Sequence, residues 1–205
     1  ASFKAILESV VYYTVIDKIA TNVTERTFAS WCKDIRNIVT IEDLDRFAKD
    51  TLIPTVNDWK LDNKSNFLRL GLNSMQQYRI KFILGKITAY VDALRLGKTT
   101  VDDLTSYTQT AVEIEHIMPQ TCADNELYGM NDEDFSVYIN RLGNLTLLEN
   151  SINKSIHNDV YANKSKAYKQ SKFYLTSSLS ELVNQGHDTA INRTNSLLFA
   201  WSDWN

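Results

Sequence analysis

Apolar positions in the first hundred residues recur mostly at helical spacings. Phe3, Ile6, Leu7, Val10, Val11 and Ile19 form a first stripe, wide enough to predict a substantially buried helix. Asn22 and Thr24 interrupt it, and Thr24 is placed to cap a second helix carrying Phe28, Trp31, Cys32 and Ile35. Thr40, followed by Glu42 and Asp43, opens a third with acids in its first turn, where exposed N–H groups favour negative charge. Pro54 is expected to end that helix, and Asp62–Leu72 reads as a short one. From about Ser74 the spacing of Tyr78, Phe82, Ile83, Ile87, Val91 and Leu94 predicts the best helix in the chain, stopped by Gly97. Gly85 in its interior costs about 1 kcal/mol relative to alanine, which points to a close neighbour there.

The texture changes after Gly97. Threonines and serines crowd residues 99–110, and Tyr107, Val112, Ile114 and Ile117 lean toward β structure. A strand is expected to end at His116 and Ile117, followed by a long polar loop from Gln120 to about Glu133. A short helix near 135–140 and a second strand over Asn144–Leu148 come next. From Ser151 to Tyr168 the chain reads as mainly helical. Leu175, Leu179, Leu182 and Val183 make a further apolar face, and a last helix runs from about Thr189 to Trp201. The fold class is α+β and mostly α, with a boundary near 97–105 between a helical domain, 1–100, and a strand–loop–strand–helix domain, 101–205.

Composition narrows the class. Of 205 residues 43% are hydrophobic and 23% charged, enough apolar material for a core and too much for wholesale disorder. No apolar run is long enough to span a membrane, and the opening residues do not read as a signal peptide. Cys32 and Cys122 stand alone without CxxC spacing, which excludes a zinc knuckle and favours a reducing compartment, hence the cytoplasm. The net charge of −3 conceals an uneven spread: +4 over residues 1–100, −9 over 101–149 and +2 over 150–205. The acidic stretch is either an ordinary solvated surface or a source of carboxylates for a divalent cation.

Three segments carry candidate chemistry: VEIEHIMPQ at 112–120, LGNLTLLEN at 142–150 and INKSIHNDVYANKSKAY at 152–168. Glu115 and His116 are adjacent at a strand end, and Pro119 prevents a regular continuation of the strand. Gly143 allows a tight turn before Asn144, while Asn153 and His157 are four apart and share a helix face. An imidazole with a pKa near neutrality can serve as general base for water. A carboxylate and an amide oxygen suit a hard cation such as Mg²⁺. Asn144 is suited to orient the imidazole, either through its second nitrogen or through the local backbone. Each residue also has a plain structural use: a salt bridge for Glu115, a turn for Asn144, a helix cap for Asn153. Glu113 alternates with Glu115 and is read as an outer or exposed residue. Trp31, Trp59, Tyr78, Phe82, Trp201 and Trp204 are read as packing residues.

These segments resemble the HNH, or ββα-metal, nucleases, in particular the C-terminal nuclease domain of GmrSD-type restriction endonucleases and related phage-defence proteins. The residues that carry the resemblance are Ile114 to Gln120, Leu142 to Leu148, then Asn153, Asn158, Tyr161, Lys164 and Tyr168. The HNH domain of CRISPR effector nucleases has a similar acid-His-Ile-x-Pro-Gln element and a similar step from Asn144 to Asn153. It uses Asp where this chain has Glu115. The resemblance covers about residues 107–201, which makes 101–205 an HNH-like nuclease domain. It implies His116 as general base, Asn144 as its orienting partner, and Glu115 and Asn153 as ligands of Mg²⁺ or Mn²⁺. His157 is a further candidate ligand or phosphate contact, and Asn158 a supporting residue. Lys154, Lys164 and Lys166 belong to a basic run that either contacts phosphate or forms a solvated face.

The activity implied is divalent-metal-dependent hydrolysis of double-stranded DNA in restriction of phage or foreign DNA, modified DNA included. An N-terminal nucleotide-hydrolysing domain or subunit is the implied partner, since the chain contains no phosphate-binding loop of the G-x-x-x-x-G-K-[ST] type. The alternative is a non-catalytic DNA- or protein-interaction module that retains the same scaffold.

Overall fold

The computed structural model describes residues 3–16, 21–60, 67–98, 103–121 and 131–180. The chain divides into two compact units, Ala1–Leu68 and Arg69–Asn205.

The first unit is helical: α1 (Phe3–Ile16), α2 (Thr21–Ile35), α3 (Ile41–Phe47) and α4 (Ile53–Lys60). Its core includes Ile6, Val10, Tyr12, Tyr13, Leu52 and Val56. Trp31 lies 5.3 Å from Phe28, 6.5 Å from Phe47 and 6.3 Å from Trp59 between ring centroids, as packing aromatics should. Thr40 caps α3 as expected: its hydroxyl accepts from Asp43 N–H, and the Asp43 carboxylate accepts from Thr40 N–H. Two sequence expectations need correction. The second helix begins at Thr21, so Thr24 lies inside it. Pro54 does not stop the third helix. A π-helical turn, Ala48–Leu52, follows α3, and Ile53 N–H bonds back to the Ala48 carbonyl. Pro54 then falls in the first turn of α4, where a missing N–H costs no helical bond.

Of the short helix expected over Asp62–Leu72, residues 62–66 lie outside the described ones, and the chain has left helical geometry by Leu70.

The second unit is organised by α5 (Gln77–Arg95), a short helix α6 (Thr105–Thr108), and a two-stranded antiparallel sheet of β1 (Val112–His116) and β2 (Leu145–Glu149). The register pairs Glu113 with Leu148, Glu115 with Thr146 and His116 with Leu145. The sheet therefore forms from the two segments whose sequence predicted it. Gly97 ends α5 at φ +65°, a conformation for which glycine carries no side-chain penalty. Gly85 faces α6, with Thr108 Cγ2 3.2 Å from where a Cβ would stand. That contact explains the helix-interior glycine. Tyr107 belongs to α6 rather than to β structure, its ring buried against Phe173 at 5.5 Å. Tyr78, expected to pack, is 64% exposed.

Between the strands, α7 (Asp132–Tyr138) is capped by Asn131, whose side-chain oxygen accepts from Asp134 N–H. A 3₁₀ turn at Leu142–Asn144 then leads into β2. Beyond β2 come α8 (Asn150–Ile156), α9 (Tyr161–Tyr168) and α10 (Tyr174–Ser178). Leu148, Tyr168 and Leu179 form a core over the sheet, flanked by Ile117, Ile152, Ile156 and Tyr161. Cys122, Leu182, Val183, Arg193, the helix expected over Thr189–Trp201, and Trp204 lie outside the described residues. Among the described residues no helix is long and apolar enough to cross a membrane.

Candidate active site

The end of β1, the loop after it, the second half of α8 and Lys164 of α9 line an open cavity of about 240 Å³. Glu113, Glu115, His116, Asn153 and His157 all line it. Residues separated by more than forty positions thus share one space, because the β1–β2 pairing returns the chain and α8 starts directly after β2.

His116 ends β1 and is 6% exposed. Its Nε2 lies 3.2 Å from the Asn140 side-chain oxygen, and its Nδ1 lies 3.1 Å from the Gln120 amide nitrogen. An amide oxygen can only accept and an amide N–H can only donate. The proton therefore sits on Nε2, and Nδ1 carries the lone pair. Burial lowers the proton affinity of the ring below that of an ordinary histidine, and the nearby Lys164 ammonium adds to this; the Asn140 bond and the Glu115 charge act in the opposite sense.

Asn144 does not touch the imidazole. Its oxygen accepts from Met118 N–H at 2.8 Å, and its amide nitrogen donates to the Ile139 carbonyl at 2.8 Å. Its own carbonyl accepts from Ile117 N–H at 2.9 Å. Of the two routes open to it in the sequence, the backbone one is present: Asn144 holds the chain just after His116. Asn140 is held in its turn by the segment at Gly71. Leu72 N–H donates to the Asn140 carbonyl at 2.8 Å, and Leu142 N–H to the Leu70 carbonyl at 2.8 Å. A Cβ on Gly71 would collide with that Asn140 carbonyl, so the close approach needs glycine.

Glu115 is 5% exposed. Its Oε1 accepts from the Lys164 ammonium at 2.7 Å and from the Tyr168 hydroxyl at 2.8 Å, two groups one turn apart on α9. Both bonds fall on Oε1, which leaves Oε2 for another partner. The same ammonium donates to the His116 carbonyl at 2.7 Å. Lys164 is 2% exposed, so the phosphate contact expected of it does not fit its position: its charge compensates Glu115 inside the protein. Lys154 and Lys166 are exposed, and Lys154 also lines the cavity.

Asn153 donates from its amide nitrogen to Glu113 Oε2 at 2.7 Å, and the Asn150 amide donates to Glu113 Oε1. His157 follows α8 at φ +46° and ψ −149°, a strained conformation for any residue but glycine, and its exposed ring lines the cavity. Asn158 fastens the loop that carries Gln120. Its oxygen accepts from Gln120 N–H at 2.7 Å, and its nitrogen donates to Thr121 Oγ1 at 2.7 Å.

Among the described residues no three His, Cys, Asp or Glu side chains stand together as a metal cluster. Of the residues that line the cavity, Glu115 has a carboxylate oxygen outside its bonds to Lys164 and Tyr168, and Asn153 has its amide oxygen outside its bond to Glu113. That set fits a hard, mostly hydrated divalent cation and does not fit a thiolate- or imidazole-bound transition metal. Sequence reasoning assigned no role to Asn140 or Gln120 and treated Glu113 as peripheral. Alternation with Glu115 signalled the face Glu113 occupies. Nothing in the sequence signalled Asn140, which reaches His116 only through the fold.

An imidazole with its lone pair on Nδ1, a carboxylate and an amide on one cavity form a donor set suited to hydrolysis. The chain belongs to the family described as GmrSD restriction endonucleases, C-terminal domain, which matches residues 57–200. It is thus a domain of the restriction-nuclease class. No curated protein matches the sequence.

Proposed function

We propose that this chain is a divalent-metal-dependent DNA endonuclease of the HNH type, hydrolysing phosphodiester bonds of foreign double-stranded DNA, modified DNA included, in the cytoplasm. A nucleotide-hydrolysing domain or subunit is its proposed partner. The observation that carries the reading is the shared cavity of Glu115, His116 and Asn153, with Nδ1 of His116 as the lone-pair nitrogen.

In this reading Nδ1 takes the proton of the attacking water, and the Gln120 amide, which donates to Nδ1 in the free protein, gives way to that water. Asn140 keeps the other ring nitrogen protonated and the ring in place. Lys164 holds the carbonyl of His116 and Asn144 holds the backbone just after it. Glu115 Oε2 and the Asn153 amide oxygen are the proposed ligands of Mg²⁺ or Mn²⁺. When bound, such an ion supplies electrostatic stabilisation to the oxygens of the reacting phosphate. His157 and Lys154, on the same cavity, are proposed to meet the DNA backbone.

The engagement of Glu115 Oε1 by Lys164 and Tyr168 is what favours the rival reading, a binding module with a purely structural ion pair. Cleavage decides between them. His116→Ala is expected to lower DNA cleavage by about 10²–10⁴-fold with fold and DNA affinity retained, and EDTA is expected to abolish cleavage by the parent. Cleavage by the variant within about threefold of the parent removes His116 as the base.

A further inference from the structure

Glu113 takes no part in the proposed reaction, yet its carboxylate is bonded to the side chain of Asn153. An asparagine amide offers two unlike atoms, an oxygen that can ligate a cation and an NH₂ group that cannot. The Asn153 nitrogen is bonded to Glu113 Oε2 at 2.7 Å, while Asn150 occupies Glu113 Oε1 from the same helix, α8. Glu113 lines the cavity on the same strand face as Glu115, one alternation away. A carboxylate can accept only, so it captures the nitrogen end of each amide and rejects the oxygen end.

We infer that Glu113 is a positioning residue whose carboxylate clamps the Asn153 amide by its nitrogen and so turns Oδ1 toward the cation. The inference rests on the proposed metal site. Partners that fix a ligand's orientation commonly account for about 10–100-fold in metal affinity when removed. The clamp is needed only because an amide has two different ends. A carboxylate at position 153 would present an oxygen whichever way it turned.

That asymmetry supplies the test, made on the full chain with Mn²⁺ as the probe and binding read by electron paramagnetic resonance. In the parent background Glu113→Ala is expected to weaken Mn²⁺ binding by about 10–100-fold. In an Asn153→Asp background the same substitution is expected to cost nothing. Equal losses in both backgrounds would overturn the inference, because Glu113 would then act through its charge or as a ligand itself. Unchanged Mn²⁺ binding by Glu113→Ala in the parent background would also overturn it. If Glu113→Ala lowers the melting temperature, Glu113→Leu, of similar reach and without an acceptor, is read in the same two backgrounds. Parent protein that binds no Mn²⁺ overturns the metal reading itself, a result distinct from parent binding that is indifferent to Glu113.

Discussion

Burial acts on His116 in the direction that the proposed role of general base requires. The ring starts from the ordinary histidine value of 6.5, and burial moves it down, with Lys164 adding to the shift and Asn140 and Glu115 opposing it. A general base must be neutral, so a lowered pKa extends the active form to lower pH. Cleavage rates between about pH 5 and pH 8 are expected to hold as pH falls through 6.5 and to drop only below it; an acid limb centred above 6.5 contradicts this assignment. The same shift affects stability with a matching sign. The unfolded chain takes up the proton first, so stability declines as pH falls from 6.5 through the lowered folded value. The pairing of Glu115 with His116 was legible because neighbours in a strand end at one place. The proton's location on Nε2 was not. It depends on Asn140, twenty-four residues away, and no spacing rule connects the two.

At the scale of elements, α9 shows why a lysine run is ambiguous in sequence. Lys164 and Tyr168 are four apart and share one face, which any helix reading detects. Whether that face meets solvent or a buried carboxylate depends on what the sheet presents opposite it. Here it presents Glu115, and the lysine becomes an internal counter-ion. Lys164→Ala leaves that carboxylate buried and uncompensated, so unfolding in denaturant is expected to show a loss of about 3–5 kcal/mol. Adding Glu115→Gln to Lys164→Met is expected to recover much of it, since no buried charge then remains. A loss below about 1 kcal/mol for Lys164→Ala would mean that water reaches the pair. The π turn before Pro54 is a second case. A proline is expected to stop a helix, but a locally widened helix places Pro54 in the first turn of α4, where it is tolerated.

Across the whole molecule the question is how DNA would be held by a chain of net charge −3. With Lys164 engaged internally, Lys154 and Lys166 are the exposed candidates among the lysines first singled out. Replacing both by alanine, in a His116→Ala background that prevents cutting, is expected to reduce the slope of log K against log salt by about 2 on duplex DNA. An unchanged slope would assign DNA positioning to the net-positive first hundred residues or to a partner. Residue 68 separates the two compact units, and α5 belongs to the second because it packs on β2; the change of texture near residue 100 registers local residue choice.

The sequence by itself determined what depends on neighbours along the chain. Alternation and turn residues set the two strands and their order, period set the long helix α5, and the motifs identified the family that the match over residues 57–200 bears out. Only the tertiary structure decided which polar group meets which: Lys164 with Glu115, Asn140 with His116, Asn144 with the Met118 backbone, Glu113 with Asn153. Hydrophobic period specifies which side of an element is buried, because burial is non-directional and scales with area. Hydrogen bonds are directional and short, so their partners exist only once strands, loop and helices have been brought to within about 3 Å of one another.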